Sequence, residues 1–436
     1  MTRNQPVRAA VLIDLEWRPD SGGHVKCWDR LAEAAVGLDA EIDLTLHFSS
    51  PPSQPVPLPR RLGANVRYRF HPPVFSTRRL PFLSAMPDHA DLGGFHRGLA
   101  ESLRGADVIH TTDGFFTFAK TAARVCRRHA VPLVTSIHTD TPAYAGLFTA
   151  DLVERLFGAG PRSRWLLRQT RIAERVERQF GRALGEHLAA CDFALVSRLE
   201  DERTARAALP AERIGWLRRG VDRDLFHPNK RDRAWLEETF GVPEGAGVVM
   251  FAGRVDRGKN ALPLARAVAR MIDAGENVFL LCAGEGADRQ AVREQLGSHA
   301  ACPGNLDQRT LARAYASSDV LAAPSTVEIV GNVVMEAAAA GLPALVNGHS
   351  AMARLVVPGR TGWIVDGAEE KAWQPALRNA LSDRCRLREM ARAARRHAKT
   401  GLPGWRDVLR DDVLPVWQGI VLAGLTGGGG TRRRAA

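Results

Sequence analysis

No two of the six cysteines, at 27, 126, 191, 282, 302 and 385, stand at C-x-x-C spacing. That removes the usual sequence signals for a zinc site or a redox pair. The thiols read instead as small buried hydrophobes in a reducing compartment. No apolar run approaches the ~20 residues a bilayer-spanning helix needs. The start, Met-Thr-Arg-Asn-Gln-Pro, is polar, and the apolar stretch at 9–15 is too short for a secretory leader. A cytoplasmic protein is therefore expected, and any work on a membrane would be done from its surface. No repeat of fixed period is visible, which argues against a solenoid. No nucleic-acid-binding module or aromatic platform is present either.

What is present is length and positive charge. With 436 residues the chain exceeds one ordinary core, so two domains are expected. The net charge is +12, mostly through arginine, which favours anionic partners without choosing among them.

Along the chain, strands and helices alternate. Residues 7–15 read as a buried parallel strand, followed by Gly22-Gly23 and a helix from about 25 to 36. A second strand is expected at 41–48. Residues 50–95 read as a proline-rich irregular insertion with Tyr68, Phe70, Phe75 and Phe82. Strands at 107–110, 132–137 and 194–196 complete a doubly wound half. A second α/β half follows, with strands at 248–252, 278–283, 319–323 and 344–346 and helices at 263–274, 311–317 and 332–340. The expected domains are 1–212 and 213–404. A final helix at 405–425 packs back on the first, and a disordered basic tail occupies 426–436.

The most informative segment is Pro324-Ser-Thr-Val-Glu-Ile-Val-Gly-Asn-Val-Val-Met-Glu336. It combines two carboxylates, a glycine turn and the start of a small-residue helix. Carboxylates accept hydrogen bonds from vicinal hydroxyls, and a helix N-terminus offers amides to a phosphate. Glu336 sits among Val333, Val334, Met335 and Ala337, where an unpaired charge is costly. Open α/β sheets bind ligands at the carboxyl ends of their strands. The loops at Gly22, His138, Arg254, Gly284 and Glu328 all belong there. Two such domains facing each other would bring them to one cleft.

These segments resemble the retaining glycosyltransferases of GT-B architecture, the large Glu-x7-Glu family that includes sucrose synthases and many bacterial mannosyl- and glucosyltransferases. Ser325–Pro343 carries the paired glutamates. Gly253-Arg-Val-Asp-Arg-Gly-Lys259 matches the Gly-Arg-x4-Lys loop. Arg219-Gly-Val-Asp-Arg-Asp-Leu-Phe-His-Pro228 matches the interdomain segment, with Arg219 in place of the usual Asn. The resemblance implies that Glu328 binds the donor sugar and Glu336 the ribose. It places the diphosphate on the amides near Gly331, Asn332 and Val333. Arg254 and Lys259 would neutralise the leaving phosphate. Gly253 and Gly284 shape the donor side, and Gly304 lies where the base is selected. Gly22 and Gly23 would lie near phosphate or acceptor. His138, in Ser136-Ile-His-Thr-Asp-Thr-Pro-Ala-Tyr144, would lie where donor meets acceptor, in a form most like lipid-glycosylating members.

A front-face transfer of a hexose from a UDP- or GDP-sugar follows, with the leaving phosphate taking the acceptor proton. No cofactor and no metal are expected, because Asp222-Arg-Asp224 has a cation between its carboxylates. The departure at Ile329-Val330 bears on which sugar is taken. The alternatives are a silent sugar-nucleotide binder, an epimerase and a phosphorylase. A phosphorylase would need a lysine for pyridoxal phosphate, and none of the lysines at 26, 120, 230, 259, 371 and 399 lies in a matching context.

Outside these motifs, Arg164, Arg168, Arg171, Arg175, Arg178 and Arg182 are spaced 4, 3, 4, 3, 4. On one helix they would form a single stripe beside Trp165, Ile172, Val176 and Phe180. Such a stripe is either solvated surface or a seat for anionic lipid headgroups on the inner face of the cytoplasmic membrane.

Overall fold

A computed structural model describes residues 5–18, 23–51, 57–79, 91–158, 160–326, 328 and 330–426. The described residues form two sheets. Gly22, Phe82, Ile329 and the tail 427–436 lie outside them, and so do the expectations made for those positions.

The first sheet contains β1 (Val7–Glu16), β2 (Ile42–Ser49), β3 (Arg60–Arg61), β4 (Val66–His71), β5 (Val108–Thr111), β6 (Leu133–Ser136), β7 (Phe193–Val196) and β8 (Ile214–Trp216). Their order is β3-β4-β2-β1-β5-β6-β7-β8, parallel except for the short β3. The second contains β9 (Gly247–Ala252), β10 (Val278–Ala283), β11 (Ala300–Gly304), β12 (Val320–Ala323), β13 (Ala344–Asn347) and β14 (Gly362–Val365). Its order is β11-β10-β9-β12-β13-β14, all parallel. Both are Rossmann-like. Strands such as Val248–Phe251 and Leu280–Cys282 are buried along their length, because helices cover both faces of a parallel sheet.

Two boundaries differ from the sequence expectation. The insertion at 50–95 is not irregular throughout, since Val66–His71 pairs in full register with β2. Its alternation of Val, Arg, Tyr, Arg, Phe and His leaves one face wetter than a central strand. That pattern, set among prolines, hid it. The second difference is β8, expected within the second domain at 213–404 but paired to β7 in the first sheet. The two units accordingly divide after Arg218, and residues 406–426 belong with the first.

The last helical stretch contains one widened turn, Leu409–Val413, between Trp405–Val408 and Leu414–Thr426. An extra residue in a turn rotates everything beyond it by about 100°. Arg218 clamps this turn through Asp411 at 2.9 Å and Asp412 at 2.7 Å. Trp417 beyond it is fully buried in the first unit.

The arginine series does not lie on one helix. Arg171 adopts a left-handed conformation (φ 47°), ending helix Pro161–Thr170 and opening helix Ile172–Ala190. A non-glycine residue there costs roughly 1–2 kcal/mol. The stripe is thus broken in its middle, although all six arginines are exposed.

Candidate active site

In the second sheet, chain order runs outward from β9 in both directions, so its topological switch point lies between β9 and β12. Ligands of open α/β sheets bind beside such a point, at the carboxyl ends of the strands. The loop after β9 carries Gly253, Arg254 and Lys259. The loop after β12 carries Glu328 and leads into helix Asn332–Ala339.

The structure ties these two loops together. Lys259 Nζ and Glu328 Oε2 form an ion pair, each side chain about a quarter exposed or less. Asn260 Nδ2 donates to Pro324 O at 3.0 Å, and Ser325 Oγ to Gly258 O at 3.2 Å. Asn347, fully buried at the end of β13, donates to Pro324 O at 3.3 Å and Gly367 O at 2.9 Å. Asp256 accepts from the Lys259 amide at 3.1 Å and pairs with Arg254 Nε at 3.2 Å. Two cations and two carboxylates, Arg254 with Asp256 and Lys259 with Glu328, therefore meet at a loop junction held by backbone carbonyls.

The glycines fall into place for separate reasons. Gly253, Gly284, Gly304 and Gly331 all have positive φ. A Cβ on Gly284 would stand 1.8 Å from Gly253 O, so this glycine lets the loops after β9 and β10 touch backbone to backbone. Gly253 N to Ala283 O (3.0 Å) and Val255 N to Glu285 O (2.8 Å) complete that contact. Gly331 (φ 85°) is the turn before the helix, where a Cβ would stand 2.5 Å from Met352 Cγ. The first amides of a helix have no acceptor inside it, and here they belong to Asn332 and Val333. Asn332 Oδ1 is buried and finds no partner among the described residues.

Glu336 is half-buried on this helix and adjoins the hydroxyl of Tyr315. Burial first, and then the Glu336 charge, push the Tyr315 hydroxyl well above its ordinary range. The costly carboxylate thus has an internal neighbour that sequence reasoning missed. The apolar spacing of helix Gln308–Ser317 marks Tyr315 only as core. Asp222 Oδ1, considered above as part of an Asp-x-Asp pair, accepts from the amides of Asp224 and Leu225 at 3.1 and 2.8 Å. Its work is a local turn.

In the first unit, β1 and β5 flank the corresponding switch point. Gly23 is the exposed first residue of helix Gly23–Ala35, just beyond β1. His138 lies two residues past β6 and is buried. Its ring stacks on His24 at 4.5 Å between centroids and 7° between planes. Its Nε2 lies 3.0 Å from Trp28 Nε1 and 2.8 Å from Ser136 Oγ. Trp28 and His24 are one turn apart on the first helix, but only the fold shows that both reach His138.

The family described as Glycosyl transferases group 1 matches residues 233–397, and Glycosyltransferase Family 4 matches 21–225. The chain thus combines a group 1 glycosyltransferase domain with a family 4 glycosyltransferase domain. D-inositol 3-phosphate glycosyltransferase 1 of Catenulispora acidiphila is 28% identical over 76% of this chain and 77% of that protein. The D-inositol 3-phosphate glycosyltransferase of Streptomyces avermitilis is 26% identical over 74% and 84%. Among solved structures, sucrose-phosphate synthase from Thermosynechococcus elongatus superposes with TM-score 0.67 at 18% identity, covering 97% of this chain and 100% of that one. WaaG, a glycosyltransferase involved in lipopolysaccharide biosynthesis, gives TM-score 0.59 at 17% identity, covering 95% and 98%. Anabaena HepE, solved with UDP and glucose, gives 0.60 at 16%, covering 96% and 99%. The glycosyltransferase therefore has the GT-B fold, with both halves present. Among its described residues no helix is long and apolar enough to cross a membrane.

Proposed function

We propose that this glycosyltransferase moves a hexose from a nucleotide-diphosphate sugar to an acceptor hydroxyl with retention of configuration. The observation that carries the donor half is the Lys259–Glu328 ion pair at the switch point of the second sheet. A diphosphate arriving at Asn332–Val333 would draw Lys259 and Arg254 toward its charge. Glu328 would then be released to accept hydroxyl hydrogen bonds from the sugar, and Glu336 would take the ribose. In the transition state the two cations stabilise the leaving phosphate, which removes the acceptor's proton. That role for Arg254 and Lys259 supports a reaction that needs no metal. HepE, solved with UDP and glucose, supports a uridine donor as the first to test.

A thermal-shift panel of UDP-, GDP- and ADP-sugars measures the donor, since bound ligand raises apparent stability by mass action. One family of nucleotides should shift the midpoint. No shift with any of them would remove the donor-site reading. Turnover should then be unchanged by EDTA, and the product anomer, read by NMR, should match the donor.

For the acceptor we propose a lipid, or a phosphorylated polyol at a lipid surface, reached by the N-terminal unit. Leu156 and Phe157, at the end of helix Thr141–Phe157, and Trp165 and Ile172, on the two following helices that with Arg171 between them carry the six exposed arginines, are 40–63% exposed. Apolar side chains among cations suit an anionic bilayer surface. Phosphatidylglycerol vesicles should sediment the protein, while changing Arg164, Arg168, Arg175 and Arg182 to Glu should abolish this. Binding unaltered by the substitutions would remove the membrane. The relatives named for inositol 3-phosphate put that compound on the acceptor panel beside diacylglycerol.

A further inference from the structure

A chain of hydrogen bonds runs through the core of the N-terminal unit from the C-terminal helix to His138. Trp417 Nε1 lies 3.0 Å from His110 Nδ1. His110 Nε2 lies 2.9 Å from Ser136 Oγ, and Ser136 Oγ lies 2.8 Å from His138 Nε2. Trp28 Nε1 reaches the same His138 nitrogen at 3.0 Å. His110, Trp417 and Trp28 have no exposed surface, and Ser136 has almost none.

The direction of every hydrogen in this chain follows from the two tryptophans. An indole N–H can only donate. His110 Nδ1 must therefore be an acceptor, which puts the His110 proton on Nε2 and aims it at Ser136 Oγ. Ser136 keeps its own hydrogen to give, and the acceptor it faces is His138 Nε2. Trp28 imposes the same requirement on that nitrogen independently. Neutral His138 thus carries its proton on Nδ1. Burial lowers His110 to about 3, so the middle of the chain stays uncharged and its polarity does not reverse at neutral pH.

We propose that Trp417, His110 and Ser136 are positioning residues that hold His138 in the Nδ1–H tautomer. The C-terminal helix then sets the hydrogen-bonding polarity of a histidine some 280 positions earlier in the chain. This role rests on the reading that His138 serves the transfer step. Its Nδ1–H is then a fixed donor to a hydroxyl or phosphate oxygen of the substrates. The widened turn at Leu409–Val413, clamped by Arg218, sets the rotation at which Trp417 meets His110.

The test uses the full chain labelled with 15N-histidine, with His138 assigned by its loss in His138→Gln. In the wild type, His138 Nε2 should have the nitrogen shift of an unprotonated ring nitrogen and Nδ1 that of a protonated one. Trp417→Phe keeps the ring and removes the N–H. It should give His110 mixed tautomer shifts; combined with Trp28→Phe, which removes the other donor to His138 Nε2, it should also give His138 mixed shifts and lower kcat about tenfold, with the donor KM unchanged, as expected for one lost hydrogen bond. Should that variant fail to fold, Ser136→Ala in the Trp28→Phe background cuts the same chain with a smaller change and should act alike. A protonated Nε2 in the wild type overturns the proposal, as do unchanged shifts and kcat in the cut chain. Wild-type transfer by His138→Gln would remove the role of His138 itself. Loss of transfer in His138→Gln together with an indifferent Trp28→Phe/Trp417→Phe double variant would remove the relay alone.

Discussion

The two units share one sheet design and differ in what they bury. The first seals polar groups into its core, including His47, His71, His96, His110, His138 and His187. It also holds Asp14 and Asp113, whose carboxyls burial pushes upward. The second has an alanine-, valine- and leucine-rich core with Arg219 as its buried charge among the described residues, and it sets Arg254, Asp256, Lys259 and Glu328 in loops after its strands. A site that must answer a diphosphate needs mobile, partly solvated charge. A site that must orient a neutral hydroxyl needs fixed dipoles, and buried neutral imidazoles supply them.

The sharpest break of this contrast is at Lys259. Lys259→Ala and Arg254→Ala should each lower kcat by ~10²–10³, the scale of losing one charge-stabilising group. Stability, read by melting, should barely move for Arg254, which is exposed, and should fall by no more than about 1 kcal/mol for Lys259, whose partner Glu328 keeps access to water. A fall in stability comparable to the fall in rate would make these cations structural.

The next effect belongs to the histidines. Burial lowers His187 to about 4 in the folded state, against an ordinary 6.5. Below pH 6.5 the unfolded chain takes up a proton that the native chain refuses. The stability due to neutral His187 is therefore complete above that pH and is lost as pH falls toward 4. Asp14 and Asp113, with raised carboxyls, act in the opposite sense. Comparison with His187→Gln, which keeps an acceptor for Thr111, cancels them. Denaturant titrations should show the wild type losing on the order of 3 kcal/mol more than the variant between pH 7 and pH 4. Parallel pH profiles would end the argument.

Smaller still, Glu336→Gln keeps the shape beside Tyr315 and removes the charge. Donor affinity, read by calorimetry, should weaken about tenfold, the share of one charged hydrogen bond. Unchanged affinity would reduce Glu336 to a partner of Tyr315. At the bottom of the scale, Cys385 is exposed while the other five thiols are buried. Cys385→Ser should stay within about 0.5 kcal/mol of the parent, whereas Cys282→Ser, in the core of β10, should be clearly less stable.

The donor loops were legible because each motif is local. Gly253 to Lys259 and Ser325 to Pro343 are continuous segments whose spacing along the chain is also their spacing in space. The central strands of both sheets could be anticipated from alternation, although β3, β4, β8, β11 and β14 escaped, β4 through its half-wet pattern and β3 and β8 by their shortness. The single arginine stripe was wrong because helical spacing cannot see the left-handed turn at Arg171, which the sequence marks with no glycine.

The sequence by itself determined two doubly wound halves, a Glu-x7-Glu segment beside a cationic loop, and a histidine after a strand. These depend on periodicity and on contacts a few residues long. Only the tertiary structure decided that Lys259 pairs with Glu328, that Glu336 meets Tyr315, and that Trp417 reaches toward His138 through His110 and Ser136. Apart from Ser136 and His138, those partners are separated by 21 to 307 positions, and hydrogen bonds select by distance and direction, which a linear pattern does not encode.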